Sequence, residues 1–138
     1  MKNILVIDGQ GGMLGKQIVE AVRKILPRDE ITAVGTNISA TASMLKAGAD
    51  NGATGENAVI VCSRTADIIV GPVGIAIADS LLGEITPAMA QAVGQSRAKK
   101  VLIPVNKCNN IIVGVSDKKI SELIKEAINQ IEEISSGS

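Results

Sequence analysis

The stretch Lys2-Asn3-Ile4-Leu5-Val6-Ile7-Asp8-Gly9-Gln10-Gly11-Gly12-Met13-Leu14-Gly15-Lys16 decides the fold. An apolar run from Ile4 to Ile7 ends in a glycine-rich turn, and an amphipathic segment follows at once. That order reads as strand, glycine loop, helix. Glycines let the backbone bend sharply and approach a ligand closely, and the helix start offers unpaired N–H groups to an anion. The near-continuous apolar run is that of a strand covered on both faces. From Gly12 to about Leu26, Leu14, Ile18, Val22 and Ile25 recur at helical spacing with Glu20, Arg23 and Lys24 off the stripe, until Pro27 stops the helix.

Glu30 to Val34 reads as a second strand closed by Gly35. Asn37 is placed to cap a helix over Ile38 to Ala47, with Gly48 as its stop. Asp50 to Gly55 reads as loop. Val59-Ile60-Val61 favours a strand, yet only four residues separate Ser63 from Ile68, too few for a parallel crossover. Glu56 to Arg64 is therefore placed as a short helix before a third strand at Ile68 to Val70, with an edge hairpin as the alternative. Gly71-Pro72-Val73-Gly74 then turns the chain into a helical segment from Ile75 to Leu82, and Thr86-Pro87 starts another that runs to about Ala98. Lys100 to Val105 reads as a fourth strand. The short loop Asn106 to Asn110 implies an antiparallel fifth at Ile111 to Val115, and a last helix runs from about Asp117 to Ile134. Strands alternating with helices, joined by right-handed crossovers, give an α/β, Rossmann-like, doubly wound, mostly parallel sheet. It has about five strands in the order 3-2-1-4-5, the last antiparallel, with helices on both faces. Residues 1–134 form one domain, and 135–138 are expected to be a disordered tail.

The ligand crevice of such a sheet lies outside the carboxyl ends of the strands where the order reverses, here between the first and fourth. Asp8 to Gly15, Gly71 to Gly74 and Asn106 to Asn110 meet there, with Thr36 and Asn37 nearby. The candidate ligand-binding residues are Asp8, Gly9, Gln10, Gly11, Gly12, Met13, Gly15, Thr36, Asn37, Gly71, Gly74 and Asn106. The N–H groups of Gln10 to Met13 are expected to hold the anion. Gly9, Gly11 and Gly15 make G-x-G-x-x-x-G, with Leu14 where the dinucleotide fingerprint has its third glycine. Gly35-Thr36-Asn37 lacks the ribose-binding carboxylate of that fingerprint. Gly15-Lys16 lacks the earlier glycine and the following hydroxyl of a P-loop, having Gln10 and Gln17 instead.

The chain of 138 residues has no Phe, Tyr, Trp or His. Imidazole catalysis, imidazole metal ligation and aromatic stacking of bases are therefore excluded. Fourteen basic and fourteen acidic residues leave no net charge, against a general nucleic-acid binder. Ile4 to Ile7 is too short for a signal peptide or membrane span, so a cytoplasmic protein with reduced Cys62 and Cys108 is expected. Cys62 reads as core and Cys108 as a loop thiol beside Lys107, while Asp79 and Glu84 read as surface carboxylates.

Val6 to Gly12, Gly35-Thr36-Asn37, Met44 to Ala49, Gly52 to Asn57 and Leu82 to Pro87 together resemble a small bacterial family catalogued as a domain of unknown function, found mainly in anaerobic Gram-positive bacteria. The resemblance implies a stand-alone cytoplasmic protein and brings no activity, substrate or catalytic residue. Three functions follow from the residues. The first is binding of a nucleotide, dinucleotide or phosphorylated small molecule at the Gly9–Gly15 loop. The second is a nicotinamide-dependent oxidoreductase, working without His or Tyr as proton donor. The third is a regulatory or scaffold subunit, with a homo-oligomer an open expectation.

Overall fold

Asn3–Asp8 forms β1, and its four apolar residues Ile4, Leu5, Val6 and Ile7 are all buried. β1 can bury both faces because it lies at the centre of the sheet, paired in parallel with β2 (Glu30–Gly35) on one side and β4 (Ile68–Pro72) on the other. The computed structural model describes residues 1–105 and 109–137. Its five strands run in the order β3-β2-β1-β4-β5, with β3 at Asn51–Thr54 and β5 at Lys99–Ile103, and every pair is parallel. The chain therefore winds outward from β1 to β3, returns to β4 beside β1, and continues to β5.

Alternation along β1 sorts the core into two layers. Ile4 and Val6 face α1 (Met13–Ile25), Met44 of α2 (Ile38–Lys46) and Ile124, Ala127, Ile128 and Ile131 of α5 (Ile120–Ser136). Leu5 and Ile7 face Val59 of α3 (Glu56–Ser63), Ile75, Leu81, Ile85 and the Met89–Val93 face of α4 (Pro87–Gln95). Local sequence explains the helix starts. Asn37 Oδ1 accepts from Ala40 N–H at 2.9 Å, and Thr86 Oγ1 accepts from Met89 N–H at 3.2 Å ahead of Pro87. At the opposite end of the sheet from the glycine loop, buried Asp29 joins the two ends of the chain. Its Oδ1 accepts from Lys2 N–H at 3.2 Å and its Oδ2 from Ser135 Oγ at 3.0 Å.

The structure corrects several sequence expectations. The edge strand after β2 is Asn51–Thr54, inside the stretch read as loop, and Ile68–Pro72 lies beside β1 rather than at the edge. With β3 in place, Glu56–Ser63 is the crossover helix to β4, as the spacing argument required. The last strand, Lys99–Ile103, is parallel, not antiparallel. Ile111 to Val115 is not a strand: it pairs with no strand among the described residues, and Ile111 and Val113 are 91% and 93% exposed. The helix expected over Ile75 to Leu82 is replaced by a 3₁₀ turn, Val73–Ala76, and successive turns, because Asp79, Leu81 and Leu82 adopt left-handed φ values of 67°, 56° and 55°. The α4 helix stops at Gln95, and α5 begins at Ile120 and extends through Ser136, so Ser135 and Ser136 are helical rather than a disordered tail.

Candidate ligand site

The glycine loop leaves β1 and enters α1 at the point where the strand order reverses, between β1 and β4. Gln10 (φ 51°) and Gly12 (φ 74°) take left-handed conformations, and Gly12 N–H closes the turn on Gly9 C=O at 2.9 Å. Gly12 is also the N-cap of α1 and has no side chain to satisfy the first amides. Asp8 serves one of them, that of Gly15, instead. Its Oδ2 accepts from Gly15 N–H at 2.7 Å and its Oδ1 from Gly9 N–H at 2.8 Å. Burial pushes the Asp8 carboxyl above its ordinary range; the two amides pull it down, and the negative charge of Glu84 adds a further upward push. Two glycines make room for this. A Cβ at Gly15 would meet Met44 Sδ at 2.5 Å and Asp8 Cβ at 2.9 Å, and one at Gly9 would meet Thr36 Oγ1 at 2.6 Å and Glu84 Oε1 at 2.8 Å. Gly15 thus serves the close helix–strand packing for which the dinucleotide fingerprint uses its third glycine.

Above Gly9 lies a cluster centred on Glu84. Glu84 Oε1 accepts from Thr36 Oγ1 at 2.5 Å, Gln10 N–H at 2.8 Å and Asn37 Nδ2 at 3.1 Å. Asn37 Nδ2 also donates to Gln10 C=O at 2.9 Å, so one side chain caps α2 and ties it to the glycine loop. Partial burial pushes the Glu84 carboxyl up, but the donations from Gln10, Thr36 and Asn37 outweigh it and hold the group below its usual range. Glu84 arrives on the turn that follows the 3₁₀ segment. Leu81 is buried at its base, Leu82 is 94% exposed at its tip, and Ser80 is buried with its hydroxyl on the carbonyls of Gly74 and Ile77.

The sequence-predicted residues divide accordingly. Asp8, Gly9, Gln10, Gly12, Gly15, Thr36 and Asn37 converge, but on the chain's own carboxylates. The N–H groups of Gln10 and Gly12, expected as anion donors, are occupied by Glu84 and Gly9. The N–H groups of Gly11, Met13 and Leu14 make no hydrogen bond to any described residue, and Gly11 and Met13 are exposed. Gly71 is buried within β4, and Gly74 is buried in the 3₁₀ turn. Asn106, with Lys107 and Cys108, lies outside the described residues. Cys62 is half-buried on α3, and burial pushes its thiol up. Glu84 is the residue that sequence reasoning missed.

Residues 3–136 match the family described as a domain of unknown function, DUF3842. The chain belongs to this family. No curated protein is similar to it. Among solved structures, one similar chain is a dodecameric FMN-dependent UbiX-like decarboxylase from Escherichia coli O157:H7. The likeness covers 100% of this chain and 95% of that one, at 16% identity and a TM-score of 0.47. Within the DUF3842 chain, a cavity of about 320 Å³ lies between β5 and α5, with Lys118 at its wall paired to Glu126 at 2.7 Å. Another, of about 350 Å³, lies between α3 and α4, and the glycine loop lines neither. No helix among the described residues is long and apolar enough to cross a membrane.

Proposed function

We propose that this DUF3842 protein is a cytoplasmic binding protein for a nucleotide or another phosphorylated small molecule, held at the Gly9–Gly15 loop. The observation that carries the reading is the set of N–H groups on Gly11, Met13 and Leu14. They stand at the start of α1, at the reversal of strand order, without an internal partner among the described residues. A phosphate there meets the positive end of the helix dipole. Asp8 and Glu84 oppose it by charge, so the loop favours an anion whose remaining groups interact with those carboxylates. Calorimetric titration with inorganic pyrophosphate and a panel of nucleoside phosphates tests the reading; absence of heat and of thermal stabilisation at millimolar ligand refutes it.

A second reading, a subunit that packs on a partner or on its own copies, is favoured by the exposure of Ile111 and Val113 at 91% and 93%. Light scattering across a concentration series checks it, and a monomer at all concentrations removes the homo-oligomer.

A further inference from the structure

The cavity between α3 and α4 lies at the other end of the sheet from the glycine loop. α3 runs back from the carboxyl end of β3 to the start of β4, and α4 runs back to the start of β5, so both helices finish at the amino end of the strands. The space between those helix ends is about 350 Å³, within the range of about 300–1,000 Å³ in which small-ligand sites fall. Arg64 and Arg97 stand in its wall, one just past the end of each helix, and no Asp or Glu lines it.

The same wall holds Ser63, which is 2% exposed and whose hydroxyl makes no hydrogen bond to any described residue. Leaving a buried hydroxyl unpaired is unfavourable, and nearly all such groups have a partner. The neighbouring serine does not supply it: Ser96 Oγ donates to the Ser63 carbonyl at 2.7 Å and accepts from Ala98 N–H at 3.1 Å. The two guanidiniums are unspent as well, with no ion pair or side-chain hydrogen bond to any described residue. Nor are they needed to satisfy the helix ends. The Ser63 carbonyl is taken by Ser96, and the Ser96 carbonyl by Lys100 Nζ at 2.6 Å. Asp67, the carboxylate nearest to Arg64 in sequence, accepts instead from Asn3 N–H at 2.7 Å.

We propose that this cavity binds a small phosphate monoester, its phosphate shared by Arg64, Arg97 and the Ser63 hydroxyl. Guanidinium forks match phosphate oxygens bidentately, and two of them without a counter-ion complement a phosphate dianion. A tetrahedral phosphate has an oxygen for each of the three groups, and the Ser63 hydroxyl gains the partner it lacks. Ile60 and Ala92 line the same space and give the carbon chain of the ester an apolar surface. The site is separate from the glycine loop and does not depend on what that loop binds.

The test titrates the full chain with inorganic phosphate, butyl phosphate and succinate at one ionic strength, following the methyl signals of Ile60, Ala92 and Met13 by NMR. Both phosphates should shift Ile60 and Ala92, butyl phosphate should bind more tightly than inorganic phosphate, and succinate should bind more weakly than either. Arg64→Gln and Arg97→Gln, both at exposed positions, should each weaken phosphate about tenfold, the scale of one charge-assisted hydrogen bond. Ser63→Ala removes an unpaired buried hydroxyl, so its thermal midpoint should rise while its phosphate affinity falls, a combination that a merely structural serine would not give. No shift at Ile60 and Ala92 in millimolar phosphate overturns the inference, and so does an affinity unchanged in both arginine variants. Succinate binding more tightly than the phosphates overturns the phosphate assignment, and equal affinity for the two phosphates overturns the monoester. Unchanged binding by Ser63→Ala removes the hydroxyl from the site. Shifts confined to Met13 overturn this inference and leave the glycine-loop reading standing.

Discussion

Replacing Gly15 by alanine sets two physical expectations of opposite sign against each other. Glycine in a helix interior is about 1 kcal/mol worse than alanine, so helix propensity alone makes Gly15→Ala stabilising. Packing opposes this. The new Cβ would stand 2.5 Å from Met44 Sδ, 3.0 Å from Met44 Cγ and 2.9 Å from Asp8 Cβ. Met44 is 0% exposed, and Asp8 is pinned by amide bonds of 2.8 and 2.7 Å, so neither neighbour can retreat freely. Overpacking of this kind costs about 1–3 kcal/mol. Any withdrawal of Asp8 also stretches its bond to the Gly15 amide, whose desolvation unpaired costs about 1–3 kcal/mol. Set against the propensity gain, the net expectation is a loss of about 1–2 kcal/mol. Urea denaturation at neutral pH measures it, with the slope compared to confirm that the native state is unchanged. Met44→Ala alone leaves a cavity and costs about 2–5 kcal/mol, but in the Gly15→Ala background the methyl group occupies part of that space. The double-mutant cycle should therefore show a favourable coupling of at least about 1 kcal/mol. A Gly15→Ala protein as stable as the wild type or more so, with Met44→Ala additive, refutes the reasoning.

Gly11→Ala is the matched control: its Cβ would find nothing nearer than Met13 Cγ at 3.9 Å, so its unfolding free energy should stay within about 0.5 kcal/mol of wild type. Thr86→Ala removes the cap of α4 and the 2.5 Å bond to Glu56, and should lower unfolding free energy by about 1 kcal/mol in the same assay. Glu84 and Asp50 are both held below their ordinary range, so each contributes stability present above its unfolded pKa and lost as pH falls through its folded one. Denaturation midpoints followed into acid should therefore decline less steeply in Glu84→Gln than in wild type. Asp8 carries the opposite sign: its folded pKa is raised, so its contribution is greatest below the unfolded value and is lost as pH rises through the folded one. Asp8→Asn should accordingly compare worst with wild type in acid, and a constant difference across pH would contradict this.

The parts of the fold that were legible are those where local chemistry and tertiary role agree. Ile4 to Ile7 is apolar at every position because β1 is covered on both faces, and Asn37 and Thr86 announce helix starts because their side chains cap them. Asn51–Thr54 was illegible because an edge strand of Asn, Gly, Ala and Thr has no apolar pattern; backbone pairing with β2 and the Asn51 amide donating to Glu30 and Thr32 hold it there. Ile111 to Val115 misled in the reverse way, carrying strand-forming residues where the fold provides no partner. At the site, the glycine spacing located the turn, and Thr36 and Asn37 were placed beside it. Glu84 had no local signature, since a carboxylate between Gly83 and Ile85 resembles any surface residue. Only the return of β4 to the side of β1 brings its loop over Gly9.

The double grip of Asp29 has a practical geometric consequence. Because Asp29 Oδ1 holds the amide of Lys2 and Oδ2 holds the hydroxyl of Ser135, the first strand and the last helix finish side by side. They do so at the amino end of the sheet, away from the Gly9–Gly15 turn. A fusion partner, affinity handle or surface tether attached at either end of the chain therefore projects away from that turn. The same proximity makes the sequence suited to circular permutation, with a short bridge across the Asp29 clasp and new ends opened in an exposed stretch such as residues 113–119.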